Sequence, residues 1–222
     1  GALPRTGELS PNALAKALGV ETATPRDIPE IVAGRPPMLC DGCGHRDLFE
    51  AINRALEIYP YRHVFGDIGC YTLGALPPYN TISTCVDMGA AITMAKGAAD
   101  AGIRPAVAVI GDSTFTHSGI TGLLDAVNDG SPVTFIISDN STTAMTGGQD
   151  SAGTGKYVDI CKGIGVDEAH IRTIIPLKKN LEQNIAVLRE EFDYEGVSVV
   201  ISQRECVQTG VKHKKKKAQQ QD

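Results

Sequence analysis

Two apolar, β-branched runs, Val107 to Ile110 and Val133 to Ile137, constrain the fold of this chain more than any other feature. Short runs without polar alternation predict strands covered on both faces, as in parallel sheets. The first run ends at Gly111-Asp112-Ser113 and the second at Ser138-Asp139-Asn140. Between them, His117 to Asn128 places Ile120, Leu123, Leu124 and Val127 at i, i+3, i+4 and i+7, one apolar helix face, and Gly130 follows as a terminator. This pattern is a βαβ unit. A right-handed crossover makes its strands parallel, so Asp112 and Asn140 emerge on the same carboxyl edge, where open α/β sheets bind ligands.

A carboxylate and a side-chain carbonyl at that edge suit a hard cation with oxygen ligands, and magnesium carrying phosphate groups is the usual occupant. Gly111 lets the chain turn sharply, while Ser113, Thr114, Thr142 and Thr143 offer donors to phosphate oxygens. Gly-Asp ends strands in many α/β domains and Asn closes many turns. The two residues together, one crossover apart, carry more than either alone.

Alternation continues on both sides of this unit. Helices are expected over Arg46 to Tyr59, Met88 to Asp100, Tyr157 to Ile164 and Leu177 to Phe192, and strands over Tyr61 to Phe65, Thr81 to Cys85, Ile171 to Ile175 and Val197 to Ile201. The expected class is α/β, a doubly wound, mostly parallel sheet of five or six strands. The Met88 helix is lined by Gly89, Ala91, Ala95, Gly97, Ala98 and Ala99, which suits close helix packing, a ligand pressed on the helix, or self-association. Residues 1–37 are Pro-rich, lack an initiator Met and hold one short helix capped by Ser10, with Pro11 at its first position and Gly19 as its stop. They read as a linker from a preceding domain. A turn signal at Arg35-Pro36-Pro37 opens a domain over 38–207, and 208–222 reads as a disordered basic tail.

With 222 residues and 42% apolar content the chain can bury one sizeable core. Its net charge is −5, yet five of its 21 basic residues are lysines within 212–217, so residues 1–211 hold 16 basic and 25 acidic side chains. That balance gives no nucleic-acid-binding face. No apolar run approaches the ~18–20 residues of a membrane span and no signal pattern opens the sequence, so the expected location is cytoplasmic. There the six cysteines stay as thiols or metal ligands rather than disulfides. Cys40-Asp41-Gly42-Cys43-Gly44-His45 is a C-x-x-C ahead of a helix, and by spacing it is a redox dithiol, half a zinc site or half an iron–sulfur site. Cys70 and Cys206 lie at strand ends, while Cys85 and Cys161 read as core residues. His45 either contacts a phosphate or caps the following helix.

Gly111-Asp112-Ser113, followed just under thirty residues later by Asn140, resembles the diphosphate-binding motif of thiamine diphosphate enzymes, with Ser113 where Gly is commonest. GDSTFTHSG and DNSTTAMTGGQ look specifically like the 2-oxoacid:ferredoxin oxidoreductases, most of all the thiamine diphosphate-binding C-terminal part of the indolepyruvate-type large (alpha) subunits, and the likeness runs from about Met38 to Cys206. The resemblance implies a thiamine diphosphate-binding fold with magnesium held by Asp112, Asn140 and the main-chain carbonyl of Thr142. It implies that His45, Cys70, Met88, Gly89, Gly111, Asp112, Ser113, Thr114, Asn140, Thr142, Thr143 and Met145 surround the cofactor. It also implies that Cys40, Cys43, Cys70 and Cys206 hold a [4Fe–4S] cluster, four thiolates being the number required. The implied reaction is oxidative decarboxylation of an aryl 2-oxoacid, with coenzyme A taking the acyl group and ferredoxin the electrons. No catalytic side chain is assigned to this chain: the Glu that activates the cofactor is expected on a separate pyrimidine-binding domain or subunit, so the chain alone is expected to be inactive and to self-associate. Two other readings remain at this point. A non-oxidative thiamine diphosphate enzyme would use Asp112 and Asn140 but no cysteines. A magnesium-phosphate module would need only the edge carboxylates, and its phosphatase form lacks a second Asp two residues after Asp67, where Gly69 stands.

Overall fold

The structure, a computed structural model, describes residues 3–22, 27–34 and 36–211. The chain divides into two compact units, Gly1–Pro36 and Pro37–Asp222. In the first, helix α1 (Pro11–Ala17) starts as its sequence requires: the Ser10 hydroxyl accepts the Ala13 N–H at 3.2 Å, and Pro occupies the first turn.

The second unit is built on five strands, β1 (Val64–Phe65), β2 (Val107–Gly111), β3 (Val133–Asp139), β4 (Ile171–Ile174) and β5 (Val197–Gln203), all parallel in the order β1-β2-β3-β5-β4. Every residue of β2 and β3 is buried, which is why neither run alternates. Helices α3 (Ala90–Asp100), α5 (Ile120–Asp129) and α6 (Tyr157–Ile164) cover one face, where Ile92, Leu123 and Cys161 pack on Ala108, Ile110, Phe135 and Ile137. Helices α2 (Gly44–Leu56) and α7 (Leu181–Phe192) cover the other, where Leu48, Ile52 and Leu188 pack on Val107, Val109, Ile136 and Val200. Each fully buried Val, Leu, Ile or Phe among them stabilises the fold by about 1.5–3 kcal/mol. The β2–β3 register sets Ile110 beside Ile137 and Gly111 beside Ser138, so the polar ends of the two runs stand at one level of the carboxyl edge.

Several expectations are corrected. The crossover helix does not wait for His117. It begins at Asp112 as α4 (Asp112–Thr114) and passes through a π turn (Phe115–Gly119) into α5. The π turn shifts the phase of the helix, so a 3.6-residue pattern read back from Leu123 loses its start. Thr81 to Cys85 is not a strand, and Tyr61 to Phe65 pairs only at Val64–Phe65. A lone bridge joins Val64 to Ile82, after which the Thr84 hydroxyl accepts the Gly66 N–H at 3.0 Å and donates to the Gly66 carbonyl at 3.1 Å, ending the pairing. Cys85, just beyond, is exposed rather than in the core, whereas Cys161 is buried as expected. In α3 only Ala91, Ala95 and Ala99 of the small residues point inward, and a Cβ on Gly97 would meet nothing within 4 Å. Residues 207–211 are helical, so the expected disordered tail does not start at 208. The rest of that segment, like Arg35 of the expected turn, lies outside the described residues.

Candidate functional site

Where β1, β2 and β3 end, a cleft of about 200 Å³ opens at the carboxyl edge. Its walls contain every expected cofactor residue but one: His45, Cys70, Met88, Gly111, Asp112, Ser113, Thr114, Asn140, Thr142, Thr143 and Met145. At its floor the two expected metal ligands converge on a single amide. The Thr142 N–H donates to Asp112 Oδ2 and to Asn140 Oδ1, each at 3.2 Å, and Asp112 Oδ1 accepts the Ser113 N–H at 2.7 Å. Burial pushes the Asp112 carboxyl up to about 6, and neighbouring Asp139 adds to the effect against the amides that favour the charge. A buried carboxylate that is costly to ionise gains most from a cation placed beside it.

The loop after β3 is fixed from several sides. Ser141 takes a left-handed φ of 59°, and its N–H donates to Asp139 Oδ1 at 2.9 Å, a turn that Asp readily stabilises. The Cys206 N–H donates to the Asn140 carbonyl at 3.0 Å, tying the loop to the chain beyond β5. Thr142 Oγ1 donates to the Gln149 carbonyl at 3.1 Å and Thr143 Oγ1 to Ser113 Oγ at 3.0 Å. Thr114 is less free than expected, because its hydroxyl donates to the Ile68 carbonyl at 3.2 Å. Only its backbone remains to face a phosphate.

His45, buried in the first turn of α2, lines the cleft and does not cap the helix, whose cap residue Cys43 makes no side-chain capping bond. Its Nδ1 lies 3.1 Å from Cys43 Sγ, and burial pulls its pKa down to about 4, so the ring is neutral near pH 7. Gly89 is the one expected residue absent from the cleft. It holds φ 99° at the start of α3, its N–H donates to Asp67 Oδ2 at 2.8 Å, and a Cβ there would strike Ser118 Oγ at 2.6 Å. Its glycine serves the helix junction.

Sequence reasoning missed the roles of Asp67 and Tyr71. Asp67 is fully buried and accepts the Gly89 and Ala91 amides on one oxygen and the Tyr71 hydroxyl on the other. Both oxygens are thus engaged in joining Tyr71 to the start of α3, and Asp67 does not line the cleft. Tyr71 in turn lines the cleft and packs so closely on β2 that a Cβ at Gly111 would lie 2.6 Å from its Cε1. Gly111 is therefore required by the ring beside it; its own φ of −76° is ordinary. The available signal was Asp67 standing at a strand end with an aromatic residue four positions on.

The four matched cysteines gather at the same end. Burial pushes the Cys70 thiol up to about 11, and Cys43, Cys206 and Cys40 all add to the shift. Cys43 is raised in the same way, by burial first, and by Cys40 and Cys206 in part. Among the described residues no three His, Cys, Asp or Glu side chains converge on a single-ion site.

A family profile described as "Thiamine pyrophosphate enzyme, C-terminal TPP binding domain" matches residues 67–202, the span from the buried Asp67 to the end of β5. The chain belongs to that family. This thiamine pyrophosphate-binding domain is 35% identical over 243 residues to indolepyruvate oxidoreductase subunit IorA of Pyrococcus abyssi, covering 92% of this chain and 36% of the relative. It is 36% identical over 214 residues to the same-named subunit of Archaeoglobus fulgidus, covering 87% and 33%. It thus spans about a third of the length of these curated relatives. Among solved structures, 2-oxoglutarate:ferredoxin oxidoreductase from Magnetococcus marinus superposes with a TM-score of 0.62 at 19% identity, over 78% of this chain and 66% of that one. The thiamine diphosphate-dependent 4-hydroxybenzoylformate decarboxylase of Rhodococcus jostii superposes at 0.53 and 16% identity, over 88% and 39%. At such identities both likenesses speak for the fold. No helix among the described residues is long and apolar enough to cross a membrane.

Proposed function

We propose that this chain is the thiamine diphosphate- and magnesium-binding part of a cytoplasmic 2-oxoacid:ferredoxin oxidoreductase acting on aryl pyruvates such as indolepyruvate. The observation that carries the reading is the meeting of Asp112 and Asn140 on the Thr142 amide at the floor of the cleft. Those oxygens, with the adjoining main chain, form the donor set a magnesium ion accepts. The Asp112 carboxylate, the Asn140 side-chain carbonyl and the Thr142 main-chain carbonyl would hold such an ion. Gly111 keeps the floor open to Tyr71, Ser113 and Thr143 lend hydroxyls at the rim, and neutral His45 offers the cleft a ring without charge.

When bound, thiamine diphosphate supplies a carbanion that adds to the keto carbon of a 2-oxoacid and an electron sink for its decarboxylation. The chain's own residues bind and orient; the Glu that activates the aminopyrimidine comes from a separate pyrimidine-binding domain or subunit. The oxidative branch is favoured over a simple decarboxylase by Cys40, Cys43, Cys70 and Cys206, whose thiols influence one another at the rim. Four thiolates are the number a [4Fe–4S] cluster requires, and these four cysteines would hold it. In the whole enzyme, coenzyme A takes the acyl group and ferredoxin the electrons. The outer face of α3, with Gly97 uncovered, is where two copies would meet.

The test is reconstitution under anaerobic conditions. Viologen reduction dependent on indolepyruvate, coenzyme A and thiamine diphosphate should be absent with the chain alone and appear once the pyrimidine-binding part of the enzyme is supplied. Turnover by the isolated chain, or none from the reconstituted assembly with cofactor bound, would refute the assignment.

A further inference from the structure

A small cavity of about 20 Å³ lies where the first turn of α2 meets the ends of β3 and β5. Gly44 and His45 of that turn line it, with Ser138, Asp139 and Asn140 at the end of β3 and Ser202 on β5. Its volume exceeds the ~10–15 Å³ that one water requires.

Two unmet needs converge on this space. The first belongs to the helix. The opening N–H groups of a helix have no partner within it, and a Ser, Thr, Asp or Asn at the cap position usually accepts one of them. Here the cap residue is Cys43, which makes no such bond; its sulfur lies 3.1 Å from His45 Nδ1 instead. Asp47, the acidic residue of the first turn, is taken by Arg204 Nη1 at 2.6 Å. The turn is therefore left without a side-chain cap.

The second need belongs to Ser202. The residue is 2% exposed, yet its hydroxyl has no hydrogen-bond partner. A buried hydroxyl in that state is costly, and most find a partner in protein or in ordered water. Ser202 stands between Ser138 of β3 and Ile174 of β4 in the sheet. Strand alternation sets it on the same face as Val200, the face that α2 and α7 cover. The hydroxyl thus lies on the side of the uncapped helix end.

The charged side chains of the lining are engaged with other groups. Asp139 accepts the Ser141 N–H on Oδ1 at 2.9 Å and the Gln203 amide on Oδ2 at 3.0 Å, while Arg204 Nη1 also donates to the Pro176 carbonyl at 2.9 Å. A neutral ligand that both donates and accepts fits what remains. Water is the one small enough.

We propose that this cavity is a buried water site in which one water, held by the Ser202 hydroxyl, caps the first turn of α2. Ser202 thereby supplies, through the water, the cap that Cys43 does not. The bridge steadies the turn that carries Cys43 and His45, beside a cofactor cleft that shares His45, Ser138 and Asn140 with the cavity. The inference goes beyond the proposed function and stands whether or not thiamine diphosphate or a cluster binds.

High-resolution crystals of the wild-type chain, with and without bromide, and urea unfolding of Ser202→Ala test it. Density should show one water within hydrogen-bond distance of Ser202 Oγ and of the Gly44 or His45 N–H, with no anomalous bromide peak. Ser202→Ala should unfold at lower urea than the wild type, because the bridging water loses an anchor. Removing a hydroxyl that bonds to nothing would instead raise the midpoint, so the sign of the shift separates a held water from an unsatisfied group. An empty cavity, a bromide ion in it, a Ser202 hydroxyl bonded directly to a protein atom, or a midpoint unchanged or raised in Ser202→Ala would each overturn the proposal. The wild-type density decides the matter even where the variant does not fold.

Discussion

The Asp112→Asn variant should be more stable than the wild type at alkaline pH when no metal is present, even though it loses the cofactor. In the folded chain burial moves the Asp112 carboxyl from 3.8 to about 6, so the folded state holds its proton more tightly than the unfolded chain does. Stability therefore falls as pH rises through the interval between those values. By linkage the loss is about 1.6 kcal/mol at pH 5 and about 3 kcal/mol at pH 8. The uncharged amide of the variant avoids this cost, keeps one acceptor for the Ser113 N–H and leaves Thr142 bonded to Asn140, at the expense of one hydrogen bond worth about 1–1.5 kcal/mol. The variant should match the wild type near pH 5 and exceed it by about 1–2 kcal/mol at pH 8, as the difference between these terms. Urea titrations at both pH values, with chelator and without thiamine diphosphate, give the answer directly. A stability difference that does not change with pH, or a variant weaker at pH 8, would show that Asp112 is not an ionised, desolvated carboxylate waiting for a cation.

Two further perturbations address the neighbouring parts of the site. Gly111→Ala forces a Cβ to within 2.6 Å of the buried Tyr71 ring. It should cost about 1–3 kcal/mol in urea unfolding, the usual penalty for overpacking, and an unchanged midpoint would mean that Tyr71 is not held against β2. Cys206→Ser should lower the iron bound after anaerobic reconstitution and its broad visible absorbance while leaving magnesium-dependent thiamine diphosphate binding intact. Equal iron in variant and wild type would remove Cys206 from the cluster.

The parts of this structure that sequence made legible are those in which burial leaves a pattern in residue type. β2 and β3 were readable because full burial demands unbroken apolar runs, and their polar ends marked the carboxyl edge once the crossover made them parallel. Asp112 and Asn140 followed from that geometry, and the cysteines from spacing and resemblance. Other features depend on single contacts with no periodic trace. The early helix start at Asp112 was hidden by the π turn, and the exposure of Cys85 by a side-chain bond from Thr84 that ends the pairing. Gly89 and Gly111 look alike in sequence, yet one answers a left-handed φ beside Ser118 and the other a tyrosine ring. Asp67, which joins Tyr71 to the start of α3, is another Gly-Asp strand end, and only the fold shows that its oxygens turn inward.

The site whose floor is Asp112 and Asn140 should bind thiamine diphosphate only when magnesium is present. Its most direct test is the melting temperature of the wild type and of Asn140→Leu in graded thiamine diphosphate, with magnesium and with chelator. At a hundredfold excess over the dissociation constant the wild type with magnesium should gain about 2.7 kcal/mol, and the gain should vanish with chelator and in the variant. A gain of equal size in all four conditions would place the cofactor elsewhere and contradict the site described.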